Sequence, residues 1–192
     1  MNTKALRAAC KAKRAQLTPA MITELSVEIT ARLWRLPVLA RSRRIACYVP
    51  VGGEVDCEIA AQVAWNRNRQ VCLPVIQGRE LVFAPYHPNS KFLRNQYGIP
   101  EPNTTKRDFY RPREIDVVLM PLVAFDARGN RLGMGAGYYD RSFKFLFGRR
   151  QWSRPHLVGL AYEFQKVPEL KACSWDIPLQ FVVTEKQIYT FR

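Results

Sequence analysis

Histidine is nearly absent from this sequence. His87 and His156 are far apart, which leaves little for a histidine-based metal centre or a Ser–His triad. The five cysteines (Cys10, Cys47, Cys57, Cys72 and Cys173) form no C-x-x-C pair and are odd in number, against both a zinc site and a disulfide framework. Cys47 and Cys72 lie in apolar, strand-like runs and read as small core residues. Long apolar runs are missing too. VVLMPLVAF, Val117 to Phe125, falls well short of the roughly 20 residues a bilayer-spanning helix needs. The basic N-terminal stretch lacks the apolar region of a secretory signal. No membrane partner is expected, and a reducing cytoplasm is the expected location.

Acidic residues are scarce as well: 16 Asp and Glu against 30 Lys and Arg, a net charge of +14. The excess is localised. Residues 1–44 hold 10 basic and 2 acidic side chains, and residues 128–154 hold 7 and 1. The remaining segments hold 13 of each and balance. Two basic segments that meet in space make one anion site; two that do not are solvated helical faces.

With 192 residues, the chain has the length of a single domain, 1–192, able to bury a core without staples. Leu6, Ala9, Cys10, Lys13 and Leu17 recur at helical spacing across Lys4 to Leu17. Thr18-Pro19 supplies a cap and a first-turn proline for a second helix carrying Met21, Ile22, Leu25, Ile29, Leu33 and Leu36 on one face, with Pro37 at its end or just beyond. Strand patterns cover Arg44–Val51, Gln70–Ile76, Glu80–Tyr86, Glu114–Phe125, His156–Tyr162 and Phe181–Glu185. The turn at Gln77-Gly78 suggests a hairpin, and helices are expected over Asp56–Asn68 and from Tyr138 to Phe147. Residues 87–114, polar and with four prolines, read as an irregular excursion of the kind that covers a site. Apolar strands alternating with helices imply an α/β fold with a mostly parallel sheet. Ligands in such folds gather at the carboxyl ends of strands, where both YVPVGGE and LVAFDARGNRLGMGAG fall.

The stretch RLGMGAGYYDR, residues 131–141, has glycine at alternate positions between two arginines. Glycine lets backbone N–H groups approach a ligand and permits positive φ. Successive N–H groups can form an anion nest, and Arg131 and Arg141 add charged donors. No G-K-[ST] follows, so this is not a Walker loop, and G-x-G-x-G is not the dinucleotide fingerprint. A structural turn into a helix is the bland alternative. The arginine bracket and Asp140 favour nucleotide phosphates, since Mg²⁺ is commonly held by one or two carboxylates together with phosphate oxygens.

PLVAFDARGNRLGMGAGYYDR (121–141) resembles the signature of the 5-formyltetrahydrofolate cyclo-ligase family. The resemblance extends to Lys4-Ala5-Leu6-Arg7, YVPVGGEVD, GIPEP and the terminal WDIPL…VVTEKQIY. It implies a three-layer α/β/α fold similar to that of sugar-phosphate isomerases and CoA transferases. It also implies ATP- and Mg²⁺-dependent cyclisation of 5-formyltetrahydrofolate to 5,10-methenyltetrahydrofolate, through a phosphorylated formyl group.

By that resemblance Lys4 and Arg7 reach the ATP phosphates, and Arg131, Leu132, Gly133, Met134, Gly135, Ala136, Gly137, Tyr138 and Tyr139 wrap the triphosphate. Met134 to Tyr138 also touch the folate, Glu54 binds the pterin edge with Val49 on its apolar side, and Asp140 and Asp176 hold Mg²⁺. Arg131, Tyr138 and Asp140 are the implied catalytic group. Ala136 stands where glycine or lysine is common; if a lysine's task is needed, Arg141, Arg149 or Arg150 inherits it. Gln180 stands where many members carry aspartate. The expected partners are small molecules (ATP and a folate whose polyglutamate tail would suit a basic surface), with a monomer and no nucleic acid. A nucleic-acid module would instead show steep salt dependence with or without ATP. A phosphosugar isomerase on a similar fold would need no ATP.

Overall fold

Asn2 and Thr18 open the first two helices, each accepting a hydrogen bond from a backbone N–H of the first turn. The helices are α1 (Thr3–Ala15) and α2 (Pro19–Leu33). The computed structural model describes residues 2–147 and 154–191. α2 stops before the expected Leu36, and Pro37 starts a short helix, α3 (Pro37–Ala40), because proline at a first helical position forfeits no hydrogen bond. Asp56 caps α4 (Cys57–Asn66) through the Glu58 N–H.

The main sheet is built from β1 (Arg44–Ala46), β2 (Gln70–Gln77), β3 (Glu80–Tyr86), β6 (Val117–Pro121), β9 (His156–Leu160), β10 (Phe181–Val183) and β11 (Ile188–Thr190). Between β3 and β6 lies a small hairpin, β4 (Phe92–Arg94) with β5 (Pro100–Pro102). Just after β6, β7 (Ala124–Phe125) pairs with β8 (Arg131–Leu132), and α5 (Tyr138–Phe143) follows.

The seven-stranded order is β11-β10-β9-β6-β1-β2-β3. The β10-β9-β6-β1-β2 neighbours pair in parallel, and antiparallel β3 and β11 close the two edges. The expected α/β class with a mostly parallel sheet is therefore observed. β2 and β3 form the expected hairpin. Pro74 lies in β2 beyond its last pair with β1, Ala46 with Cys72, so its missing N–H breaks no ladder there. One face of the sheet carries Ile29, Leu33 and Leu39 from α2 and α3 with Ala60, Ala61 and Ala64 from α4. The other carries Phe143 of α5 with Phe83, Met120, Phe125 and Leu157.

Four strands are shorter than the runs that suggested them, β1 and β6 most of all. Arg44–Val51 is strand only to Ala46; Cys47 still bonds the Cys72 carbonyl, and the chain then leaves the sheet toward Pro50 and the glycine turn. Glu114–Phe125 is strand only to Pro121, because Ala124–Phe125 turns away into its own hairpin. The excursion 87–114 is more ordered than expected, holding β4, β5 and two single-turn 3₁₀ segments. Cys10, Cys47, Cys57 and Cys72 are buried free thiols. Among the described residues no helix is long and apolar enough to cross a membrane.

Candidate active site

The two basic segments meet. Arg7 Nε of α1 donates to the Gly133 carbonyl at 2.9 Å, and its guanidinium lies beside Gly135. The buried stripe of α1 is Leu6, Cys10 and Arg14, which packs on Val123, Ala124 and Leu132. This corrects the expected face: Ala9 and Lys13 point outward, and an arginine takes the inner position.

Asp126 sets the turn that delivers the glycine stretch. It is 1% exposed and accepts hydrogen bonds from the N–H groups of Arg128, Asn130 and Leu170 and from the Asn130 side chain. Burial alone would push its carboxyl up, yet these donors hold it below the usual carboxylate range. A depressed carboxylate stabilises the fold above its unfolded pKa, and that contribution is lost as pH falls through the folded value. Asp126→Ala is therefore expected to cost about 3 kcal/mol at neutral pH, the scale of charged hydrogen bonds lost and donors stranded. Urea titrations should show the gap from wild type narrowing in acid. A pH-independent gap would assign the loss to packing.

Beyond the turn, Arg131 is nearly buried. Its NH2 bonds Asp140 Oδ1 at 2.6 Å and its NH1 donates to the Ile177 carbonyl. The Ile177 N–H returns to Asp140 Oδ1 at 3.2 Å. The segment after Asp176 is thus clasped to the start of α5. Gly135 (φ +105°) and Gly137 (φ +67°) adopt the conformations for which glycine is required, whereas Gly133 does not. Met134, Gly135 and Ala136 are exposed. Arg141 donates to the carbonyls of Ala136 (2.9 Å) and Arg79 (2.6 Å) and stands 5.0 Å over the Tyr138 ring. The tip of the β4–β5 hairpin reaches the same ring: the Tyr138 hydroxyl lies 3.1 Å from that of Tyr97 and accepts from Gln96 at 3.2 Å. The excursion therefore reaches the start of α5 through Tyr138 but leaves residues 134–136 of the glycine loop exposed.

Beside the loop, the chain leaving β1 brings Glu54 under α1. Arg14 NH1 lies 3.3 Å from Glu54 Oε1, and the Val51 N–H donates to Oε2 at 3.1 Å. Burial pushes the Glu54 carboxyl up, and the Val51 N–H, Arg14 and Lys11 only partly oppose it. An open cleft of about 250 Å³ runs alongside, with Val49, Pro50, Tyr86, Phe92 and Pro100 as apolar walls and Glu58 as its acidic group. Glu58 accepts from the Tyr86 hydroxyl at 2.7 Å.

Residues 1–185 match the 5-formyltetrahydrofolate cyclo-ligase family. The chain is similar to 5-formyltetrahydrofolate cyclo-ligase of Escherichia coli (strain K12), 34% identical over 180 residues, covering 92% of this chain and 97% of that protein. The chain belongs to the 5-formyltetrahydrofolate cyclo-ligase family. The cyclo-ligase of Haemophilus influenzae is likewise 34% identical over 187 residues, with 93% and 97% covered. The solution structure of Aquifex aeolicus 5,10-methenyltetrahydrofolate synthetase superimposes with a TM-score of 0.84 at 33% identity, covering 100% of this chain and 94% of that one.

Of the positions suggested by the family signature, Arg7 meets the glycine loop at Gly133, Arg131 pairs with Asp140 and Leu132 is buried against α1, while Val49 lines the cleft and Glu54 pairs with Arg14. The Lys4 side chain is exposed. Asp176 reaches the same end of the molecule through Ile177, but its Oδ2 accepts from the Cys173 N–H at 2.8 Å. Arg141 sits at the loop, where a substitute for a lysine at position 136 would be needed; Arg149 and Arg150 lie outside the described residues. Gln180 is structural, its Oε1 accepting from the Leu157 N–H at 2.9 Å. α5 is only six residues long rather than reaching Phe147, so the loop's own N–H groups matter more than the helix end. The sequence reading passed over Arg14, Glu58, Gln96 and Tyr97. Arg14 alone carried a signal: it continues the Leu6–Cys10 stripe at four-residue spacing.

Proposed function

We propose that the chain converts 5-formyltetrahydrofolate to 5,10-methenyltetrahydrofolate with turnover of ATP to ADP and phosphate, in the presence of Mg²⁺. The observation that carries this reading is the meeting of α1 with the glycine loop through Arg7 and Gly133; α1 also holds Glu54 through Arg14, and the segment that carries Glu54 lines an apolar cleft through Val49 and Pro50. In this reading the loop is the phosphate-binding surface and the cleft is the slot for a planar ring. Membership of the cyclo-ligase family and the names of the relatives support the same reaction.

In this scheme Lys4, Arg7 and the 131–139 backbone bind the triphosphate, and Val49, Glu54 and 134–138 bind the folate. The formyl oxygen attacks the γ-phosphorus and ADP departs, leaving an N5-bound formyl carbon that carries a phosphate. N10 then attacks that carbon, loses its proton, and the C–O bond breaks to release inorganic phosphate. The chain's task is to align the two substrates and balance charge, which Arg131, Arg7 and Arg141 suit; no enzyme nucleophile is required. Tyr138, where the loop meets the hairpin tip, would orient the formyl group.

The residues fit Mg²⁺. Asp140 uses Oδ1 and Asp176 uses Oδ2 in the hydrogen bonds above, so each has a second oxygen to offer. Among the described residues no group of three or more His, Cys, Asp or Glu converges, which suits an ion completed by phosphate and water rather than a closed protein cage. When bound there, Mg²⁺ would neutralise charge on the transferred phosphoryl group. The fold is read as one domain of the sugar-phosphate isomerase and CoA transferase type, acting as a cytoplasmic monomer. The mostly parallel seven-stranded sheet with helices packed on both faces supports the fold part of that reading.

The test is the absorbance of the methenyl product when purified protein receives 5-formyltetrahydrofolate, Mg²⁺ and ATP. ATP-dependent product formation is expected. ATP binding without product would keep the phosphate loop and remove the folate. Neither binding nor product would overturn the reading.

A further inference from the structure

Arg14 is 2% exposed, on the inner stripe of α1, and pairs with Glu54 Oε1 at 3.3 Å. The other Glu54 oxygen is held by the Val51 N–H, so the carboxylate is fixed from two elements at once. The approach is close. Gly53 has φ +74°, and a Cβ there would stand 3.1 Å from the Arg14 carbonyl oxygen. Arg14 Nε is buried without a hydrogen-bond partner among the described residues. A buried guanidinium with an idle donor burdens the fold rather than helping it. What the arrangement secures is the orientation of one carboxylate, five residues along the chain from the cleft-lining Val49.

We propose that Arg14 is a positioning residue for the folate side of the site, holding the Glu54 carboxylate in the orientation that binds the substrate ring. This rests on the reading of Glu54 as a folate-binding group. The charged and titratable groups facing Glu54 are Arg14 and Lys11 from α1, Tyr48 from the segment after β1, and Tyr139 from α5. Burial raises the Glu54 carboxyl and the two cations oppose it. Without Arg14 the opposition weakens, Glu54 protonates at higher pH, and folate binding weakens as pH falls through that value.

The test is steady-state kinetics across mildly acid to mildly alkaline pH for wild type, Arg14→Gln, Arg14→Lys, Glu54→Gln and the double variant R14Q/E54Q. Arg14→Gln is expected to raise KM for 5-formyltetrahydrofolate roughly tenfold near neutrality, the scale of one lost hydrogen bond to a charged group. KM for ATP should stay near wild type, alkaline pH should restore part of the loss, and Arg14→Lys should recover part of it. The double variant should bind folate no more weakly than Glu54→Gln alone, because both act through one group. Equal rises in both KM values with an unaltered pH profile, or additive effects in the double variant, would overturn the proposal. Its two modes of failure are distinct. A wild-type folate KM in Glu54→Gln would remove Glu54 from the site and the proposal with it. A weakened Glu54→Gln beside a normal Arg14→Gln would remove Arg14 alone. If Arg14→Gln does not fold, Arg14→Lys and R14K/E54Q make the same comparison.

Discussion

Replacing Asp140 by asparagine is expected to cut turnover about a hundredfold, the scale seen when one preorganised charge-stabilising group is removed, and to raise the Mg²⁺ concentration needed for half-maximal rate. Both effects follow from one carboxylate with two duties. Its Oδ1 balances the nearly buried Arg131 at 2.6 Å and accepts the Ile177 N–H, while Oδ2 is the oxygen proposed for the metal. Asparagine can keep a carbonyl oxygen toward Arg131 and Ile177, so the clasp survives in shape. It then presents an uncharged NH₂ where the metal ligand stood, and leaves the Arg131 charge less balanced. The melting temperature should fall only slightly. The informative comparison is the Mg²⁺ activation curve: a shifted midpoint places Asp140 on the ion, and an unchanged midpoint with lowered kcat makes it the anchor of Arg131 and no more. Asp176→Asn serves as the comparison: its carboxylate accepts from the Cys173 N–H and makes no ion pair with Arg131, so a shifted Mg²⁺ midpoint with a smaller loss of kcat is expected.

The legible part of this site was the part written in local chemistry. Alternating glycines between arginines singled out the loop, and the two positive segments are neighbours through Arg7 and Gly133. The strands were legible where burial is continuous, as at Val117–Pro121 and His156–Leu160. Their ends were not, because apolar runs continue past the sheet: Cys47 and Tyr48 are buried without being strand. Ala124–Phe125 looks like the tail of β6 but is the first arm of a separate hairpin, a distinction decided by four hydrogen bonds to Asp126. β11 escaped notice since Ile188–Thr190 is short and only half-buried. Arg14 was illegible as a functional residue because an arginine in a basic helix is ordinarily solvated; its burial depends on Glu54, 40 residues away in sequence. The contact of Gln96 and Tyr97 with Tyr138 spans about the same distance along the chain and leaves no periodic trace.

Removing the Phe143 ring is expected to be the most damaging single change to the fold around the loop. Phe143 ends α5, is 0% exposed, and lies among the rings of Phe83, Tyr139 and Phe145 at centroid distances of 6.1, 6.3 and 6.2 Å. Phe143→Ala should cost about 3–5 kcal/mol, the usual range for emptying a buried aromatic position. The consequence reaches function because α5 cannot hold itself. A helix of six residues is far below the length that is stable alone, so its docking defines its existence. Phe143 provides the apolar part of that docking, and Ser142 the polar part: its hydroxyl donates to the Tyr138 carbonyl at 2.8 Å and accepts the Leu81 N–H at 2.7 Å. The same six residues carry Tyr138, Tyr139 and Asp140, and Gly137 is their cap. Loss of the ring should therefore lower the urea midpoint and raise KM for ATP together. Phe143→Leu refills most of the volume and should show a smaller form of both effects. If Phe143→Ala loses stability as expected but binds ATP with the wild-type KM, then the loop is held by the Arg131–Asp140 and Arg7–Gly133 clasps rather than by the helix behind it.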